Sequence, residues 1–286
     1  MEATAAKSSL ALRNWEKLRR NKLAMIGFSI ILLMLLCAIL APVLTPFQPD
    51  EIDLGNRLMP PSSEHLLGTD KIGRDVLTRI LYGARISIFI GLSGALGGAV
   101  IGTVLGCFSG YLGGWLDKLL LRISELFMTF PQLILILILV VYIGQGLFNL
   151  IFIFAVTGWT GTYRLVRGRV LSLREESFVD SCRAFGIGEM SIMFRHILPN
   201  TLSPVIVTVT LSTAGYILAE SGLSFLGLGV PSGIPTWGNI INAAKAVDVI
   251  RNNPWLWLPP GFAISLFVLG VNFFGDGLRD VLDPNQ

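Results

Sequence analysis

Residues 126–163 read LFMTFPQLILILILVVYIGQGLFNLIFIFAVTGWTGTY, with no Asp, Glu, Lys or Arg anywhere in the run. A helix rises about 1.5 Å per residue and a bilayer's hydrocarbon core is about 30 Å thick, so one crossing takes roughly 20 apolar residues. The run is too long for one crossing and right for two, and Gly144-Gln145-Gly146 supplies the turn between them. Outward from it, residues 24–49, 86–116, 197–219 and 254–275 are likewise free of charge. The pattern predicts an all-α integral membrane protein with six spans, centred near residues 35, 98, 132, 157, 210 and 266. With 52% of the chain hydrophobic and only 14% charged, the charges are left to the loops, and their placement sets the topology.

Arg13, Lys17, Arg19, Arg20 and Lys22 stand just before the first span, Lys118 and Arg122 follow the second, and a basic stretch from Arg164 to Arg195 follows the fourth. Positive loops stay in the cytoplasm, and an even number of spans places all of these on one side with both termini. The expected segments are a cytoplasmic N-terminal segment (1–23), a first transmembrane helix (24–47), an external loop (48–84) and a core transmembrane domain (85–286) with a cytoplasmic loop at 164–200. The first apolar run passes Pro42 and Pro46 without a convincing cleavage site, which reads as an uncleaved anchor. The net charge of +3 is topological and points to no nucleic-acid partner. Cys37, Cys107 and Cys182 have no CxxC spacing and read as small buried hydrophobes.

Three features stand out within this frame. Phe178, Cys182 and Phe185 fall at i, i+4 and i+7 inside the basic stretch, giving one apolar face of a short helix that ends at Gly186. Gly94, Gly98, Gly102, Gly106 and Gly110 recur every four residues in the second span, an oblique ridge that lets another helix approach closely. Glu220 closes a long apolar run ahead of a Gly-rich tail, and an acid at membrane depth is a candidate for the pathway, a gate or a structural ion pair. Trp159 and Tyr163, near the end of the fourth span, are further candidates to face a pathway.

Other chemistry is excluded. His65 and His196 fall on opposite sides of the membrane and belong to no HExxH pattern, so no metal site is expected. Ser224 has no histidine within a span to act as its base. There is no GxxxxGK[ST] loop, so the chain is not an ATPase or any other enzyme. Uphill work would draw on a partner or an ion gradient. A gradient-driven carrier would place ionisable groups near mid-membrane, and a channel would show a filter or a ring of charge.

Asp180-Ser181-Cys182-Arg183-Ala184-Phe185-Gly186, followed after nine residues by His196-Ile197-Leu198-Pro199, resembles the EAA loop of ABC importer permeases. Asp180 stands for Glu, Ser181-Cys182 for Ala-Ala and His196 for the first Ile. His65 to Asp70, Gly73-Arg74-Asp75, Tyr82 to Ser87, Phe194 to Asn200, Leu223 to Gly229, Trp237-Gly238-Asn239 and Gly275 to Asp280 resemble the second permease subunit of dipeptide and oligopeptide importers. The resemblance implies a type I importer permease fold with a coupling helix near 176–187. Phe178, Asp180, Ser181, Cys182, Arg183, Phe185, Gly186, Leu198 and Pro199 would couple it to ATPase subunits. The implied partners are a second permease subunit, two cytoplasmic ATPase subunits that bind ATP and Mg (this chain binding no cofactor), and an external solute-binding protein. The implied setting is a bacterial or archaeal cytoplasmic membrane. Peptides are the implied cargo, with nickel or another small solute as the alternative. The external loop is a plausible seat for the binding protein, with Asp70, Arg74 and Asp75 pairing among themselves to fix it.

Overall fold

The computed structural model describes residues 15–282, which are helical apart from loops and one isolated bridge, Thr69 to Asp75. The principal helices are α1 (Lys22–Ile39), α2 (Val76–Leu112), α3 (Gly114–Thr129), α4 (Gln132–Ile143), α5 (Leu147–Arg174), α6 (Ser177–Ala184), α7 (Leu198–Phe225), α8 (Trp237–Ala243), α9 (Val247–Asn252) and α10 (Leu258–Leu282). Four stretches, Lys22–Ile39, Val76–Leu112, Glu189–Phe225 and Pro254–Leu282, are long and apolar enough to cross a membrane. A fifth arises if α3 and α4 count as one span, bent by 91°.

The bend falls where the third span was expected to be centred. Phe130 precedes Pro131, and the proline ring drives the residue before it out of the helical region, to φ −92° and ψ 137°. Beyond the bend, α4 has 12 residues, about 18 Å of helix, and is too short to cross alone. The turn at Gly144–Gly146 lies where it was expected, between α4 and α5. α5 then continues through Arg164, Arg167 and Arg169 to Arg174, so the first part of the stretch expected as loop is helix.

α2 is the spine. From its first residues to its last it contributes to three successive apolar clusters, with Val76 and Ile80 in the first, Ile90 and Ala95 in the second, and Cys107 and Tyr111 in the third. Asp75 caps its start, accepting from the Thr78 amide at 2.7 Å. α5 lies along α2, and α10 lies along α1, where Gly27 faces the Gly270 carbonyl and the Phe274 amide nitrogen. α7 packs against α2, α5 and α10 and joins the two pairs.

Arg85 on α2 donates to the Ala38 carbonyl at 2.5 Å and the Ile39 carbonyl at 2.9 Å. These are orphan acceptors at the end of α1, where a cation also meets the negative end of the helix dipole. The contact sets α1 antiparallel to α2. Asn21, just before α1, donates to Asp280 near the end of α10 at 3.3 Å. The start of α1, the end of α2, the end of α10 and α6 therefore share one end of the bundle, the loop end.

The far end is built from residues 40–75 and 226–257. Trp255 packs over Gly68, and Leu58, Leu67 and Trp257 join the first cluster. Asp70 pairs with Arg74 at 2.7 Å as expected. Asp75 instead meets His65 Nδ1 at 3.0 Å, because its place at the head of α2 turns it inward, away from Arg74.

Candidate functional site

At the loop end α6 is a helix of two turns with a defined stop. Ile187 N–H donates to the Cys182 carbonyl and Gly186 N–H to the Arg183 carbonyl, with Gly186 at φ +74°. This is the Schellman pair of bonds, and it needs the left-handed conformation that glycine adopts without steric cost. The apolar face differs from expectation. Val179 is fully buried, and Phe178, Cys182 and Leu198 pack with it on the third cluster of the chain's own core. Phe185 alone of the expected row is free, 85% exposed. The helix ends at Ala184, so Phe185 leaves the helical register and points outward. Asp180, Ser181, Arg183 and Gly186 are exposed beside it. Pro199, also exposed, sits in the first turn of α7, where its missing N–H costs little, after a wide π-type turn over Ile192–Ile197.

A polar network ties this loop to the bundle. Arg183 pairs with Asp180 at 3.3 Å and with Glu189 at 3.2 Å, and the Tyr111 hydroxyl donates to Glu189. Two residues earlier on α2, the Ser109 hydroxyl donates to Asp117, which leaves Tyr163 to donate to Ser109 Oγ at 2.9 Å. Arg167 grips both oxygens of Asp117, at 2.5 and 2.6 Å. Gly113 and Gly114, both at positive φ, fold α3 back so that Asp117 reaches Ser109. Sequence reasoning missed Asp117, Arg167 and Glu189. Each looked like an ordinary loop charge, and only the α2–α5 register shows which of them meet.

That register comes from the glycine ridge. A Cβ on Gly94 would meet Phe154, on Gly98 Gly158, on Gly102 Trp159 and Thr162, on Gly106 Tyr163 and Val166, and on Gly110 Arg167 and Val170. Both rows advance together, so α2 and α5 run parallel. A repeat of four exceeds the 3.6-residue turn, so the pair wraps right-handed and keeps all five glycines in contact.

On another side of α5, a cavity of about 770 Å³ is walled by the α3–α4 elbow (Phe127, Met128, Phe130, Gln132), by Thr157, Thr160, Gly161 and Thr162 of α5, and by Thr208, Ser212, Gly215 and Gly222 of α7. Among the described residues, no ionisable carboxylate or cation lines it. Trp159 and Tyr163 are absent from the wall. Both are buried, Trp159 against Phe127 and Tyr163 against Ser109. Glu220 is not in the wall either. It is fully buried on α7, accepting from Ser224 Oγ at 2.7 Å and Ser87 Oγ at 3.3 Å, and Ser87 in turn accepts from the Trp237 amide at 3.2 Å.

Residues 102–286, which hold most of the ridge and all of α6 and the cavity wall, match the family described as binding-protein-dependent transport system inner membrane component. The chain belongs to that family. Residues 9–61 of this permease match a second family, the N-terminal TM domain of oligopeptide transport permease C. The permease is 44% identical over 272 residues to the dipeptide transport system permease protein DppC of Alkalihalophilus pseudofirmus, covering 95% of this chain and 89% of that one. It is 40% identical over 284 residues to the oligopeptide transport system permease protein OppC of Bacillus subtilis, covering 98% and 92%. A second Bacillus subtilis protein, the dipeptide permease DppC, is 40% identical over 270 residues, covering 94% and 84%. Membership makes this a multi-pass inner-membrane component of an ABC transport system.

Proposed function

We propose that this chain is one of two permease subunits of an ATP-driven importer of dipeptides or oligopeptides. The observation that carries the reading is its similarity, over nearly its whole length, to relatives named for dipeptide and oligopeptide transport. In this reading α1, α2, the bent α3–α4 pair, α5, α7 and α10 are the six crossings. The loop end faces the cytoplasm with both termini, in keeping with the basic residues gathered there. α5 serves as a crossing despite its polar second half because its hydroxyls and glycines face α2 and the cavity instead of lipid.

α6 would seat on one of two ATPase subunits, which bind ATP and Mg. Phe185 would supply the apolar contact, with Asp180, Ser181 and Arg183 around it and Gly186 fixing the turn. Phe178, Cys182 and Leu198 would act from behind, holding α6 on the bundle, and Pro199 would fix the start of α7. The open cavity would be completed by the second permease and receive peptide from an external binding protein docked on the far end. The wall is largely apolar, from Phe127, Met128, Phe130 and neighbouring leucines, with the hydroxyls of Thr157, Thr160, Thr208 and Ser212 and the Gln132 amide set into it. Such a wall suits a peptide, whose side chains vary and whose backbone needs hydrogen bonds.

The test is ATP-dependent uptake of a radiolabelled dipeptide into vesicles bearing the reconstituted complex. Uptake that requires the binding protein and ATP is the expected result. Accumulation driven by an ion gradient without ATP would overturn the reading.

A further inference from the structure

The polar contacts at the loop end form a path from α6 to the cavity wall. α6 is joined in sequence to α5 and α7 only, yet α2 is the spine on which α1, α3, α5, α7 and α8 pack. The link from α6 to α2 is non-covalent and directional: Arg183 to Glu189 at 3.2 Å, and Glu189 to the hydroxyl of Tyr111. The Tyr111 ring is itself fixed, buried in the cluster that holds Val179. From Tyr111 the path runs two residues back along α2 to Ser109, which donates to Asp117, and Arg167 binds Asp117 with a two-pronged grip. Asp117 lies on α3, which leads straight into the elbow that lines the cavity with Phe127, Met128 and Phe130.

We propose that Tyr111, Asp117 and Arg167 are positioning residues that carry a displacement of α6 into the α3–α4 elbow and so move the cavity wall. Apolar contacts such as those under α6 are non-directional, whereas a bidentate guanidinium–carboxylate pair fixes both distance and angle. The pair is also partly screened from water, with side-chain exposures of 23% and 16%, unlike the surface pair Arg122–Glu125. The proposal rests on the reading of α6 as the ATPase-docking helix.

The test uses the complete complex, with nitroxide labels attached to p-acetylphenylalanine introduced at Met128 and Leu218, which both line the cavity, so that Cys107 and Cys182 stay native. The distance between labels is measured before and after ATP binding, together with dipeptide uptake per ATP hydrolysed. Tyr111→Phe removes one hydroxyl and keeps the ring, and Arg167→Lys keeps the charge and loses the fork. Each is expected to leave the complex assembled, to abolish the ATP-driven distance change, and to lower uptake per ATP about tenfold, the factor that about 1.4 kcal/mol represents. Because the contacts lie in series, the double variant should fall little further. A distance change and an uptake ratio equal to wild type in both variants would overturn the proposal, as would a loss confined to melting temperature, which marks a static staple. An unmoved distance in the wild-type complex would refute the importer reading itself and the linkage with it.

Discussion

Gly186 and Phe185 adjoin, yet they respond to different physics. Gly186 has open space around its Cα and a φ of +74°, so any side chain there meets backbone strain and no steric clash. Gly186→Val should cost about 1–2 kcal/mol locally, melt the end of α6 and abolish uptake. Membrane insertion, followed by yield of the chain in purified membranes, should be unchanged. Phe185→Ala should leave the thermal stability of the complex within about 0.5 kcal/mol, since the ring is in solvent, and should reduce recovery of the ATPase subunits. Val179→Ala should do the reverse, costing about 2 kcal/mol by emptying a buried site; equal stability losses in the two variants would reject this division. The EAA spacing made the stretch legible in the sequence. Which of its apolar residues face outward was not, because a 3.6-residue pattern shows that a face is buried and says nothing about what buries it.

At the scale of elements, glycines fall into two kinds that sequence spacing cannot separate. On the ridge, a Cβ at Gly102 would lie 2.5 Å from the Trp159 carbonyl and 2.8 Å from the Tyr163 amide nitrogen, both backbone atoms that cannot move alone. Gly102→Leu should push α2 and α5 apart at a cost of about 1–3 kcal/mol or more, in line with other overpacked cores, and appear as lost yield of assembled complex. Gly161 lines the cavity with nothing within 4 Å of an added Cβ. Gly161→Phe should assemble normally and block uptake, with the melting temperature unchanged; failure to assemble would show that the cavity is packing space and not a passage. The ridge was visible as a period of four. Its partner was not, since the same period would serve any helix narrow enough to approach.

For the molecule as a whole, the buried acid Glu220 has a role that hydropathy could not assign. Its oxygens accept hydrogen bonds from the Ser87 and Ser224 hydroxyls, and Ser87 Oγ accepts from the Trp237 amide. Asn242 at the same corner donates to the Ser224 and Phe225 carbonyls, at 2.9 and 2.6 Å. These bonds fasten the far-end segment to α2 and α7. Glu220→Gln keeps an acceptor and should be tolerated. Glu220→Ala should destabilise the purified complex by about 1–3 kcal/mol, the cost of unpaired buried polar groups, and a melting temperature unchanged in the Ala variant would reject the role.

The sequence by itself determined that the chain lives in a membrane, where its apolar runs begin and end, which end of the bundle gathers the positive charge, and where α6 stops. Those rest on local quantities: transfer free energy summed over a run, and the φ that Gly186 accepts. Tertiary structure alone decided the wrap of α2 on α5, the meeting of Asp117 with Arg167 across fifty residues of chain, the turning of Trp159 and Tyr163 away from the cavity, and the inward face of α6. Each of these depends on the rotation and register of one helix against another, and inside a membrane that choice is made by close packing and by the few polar groups that must find partners.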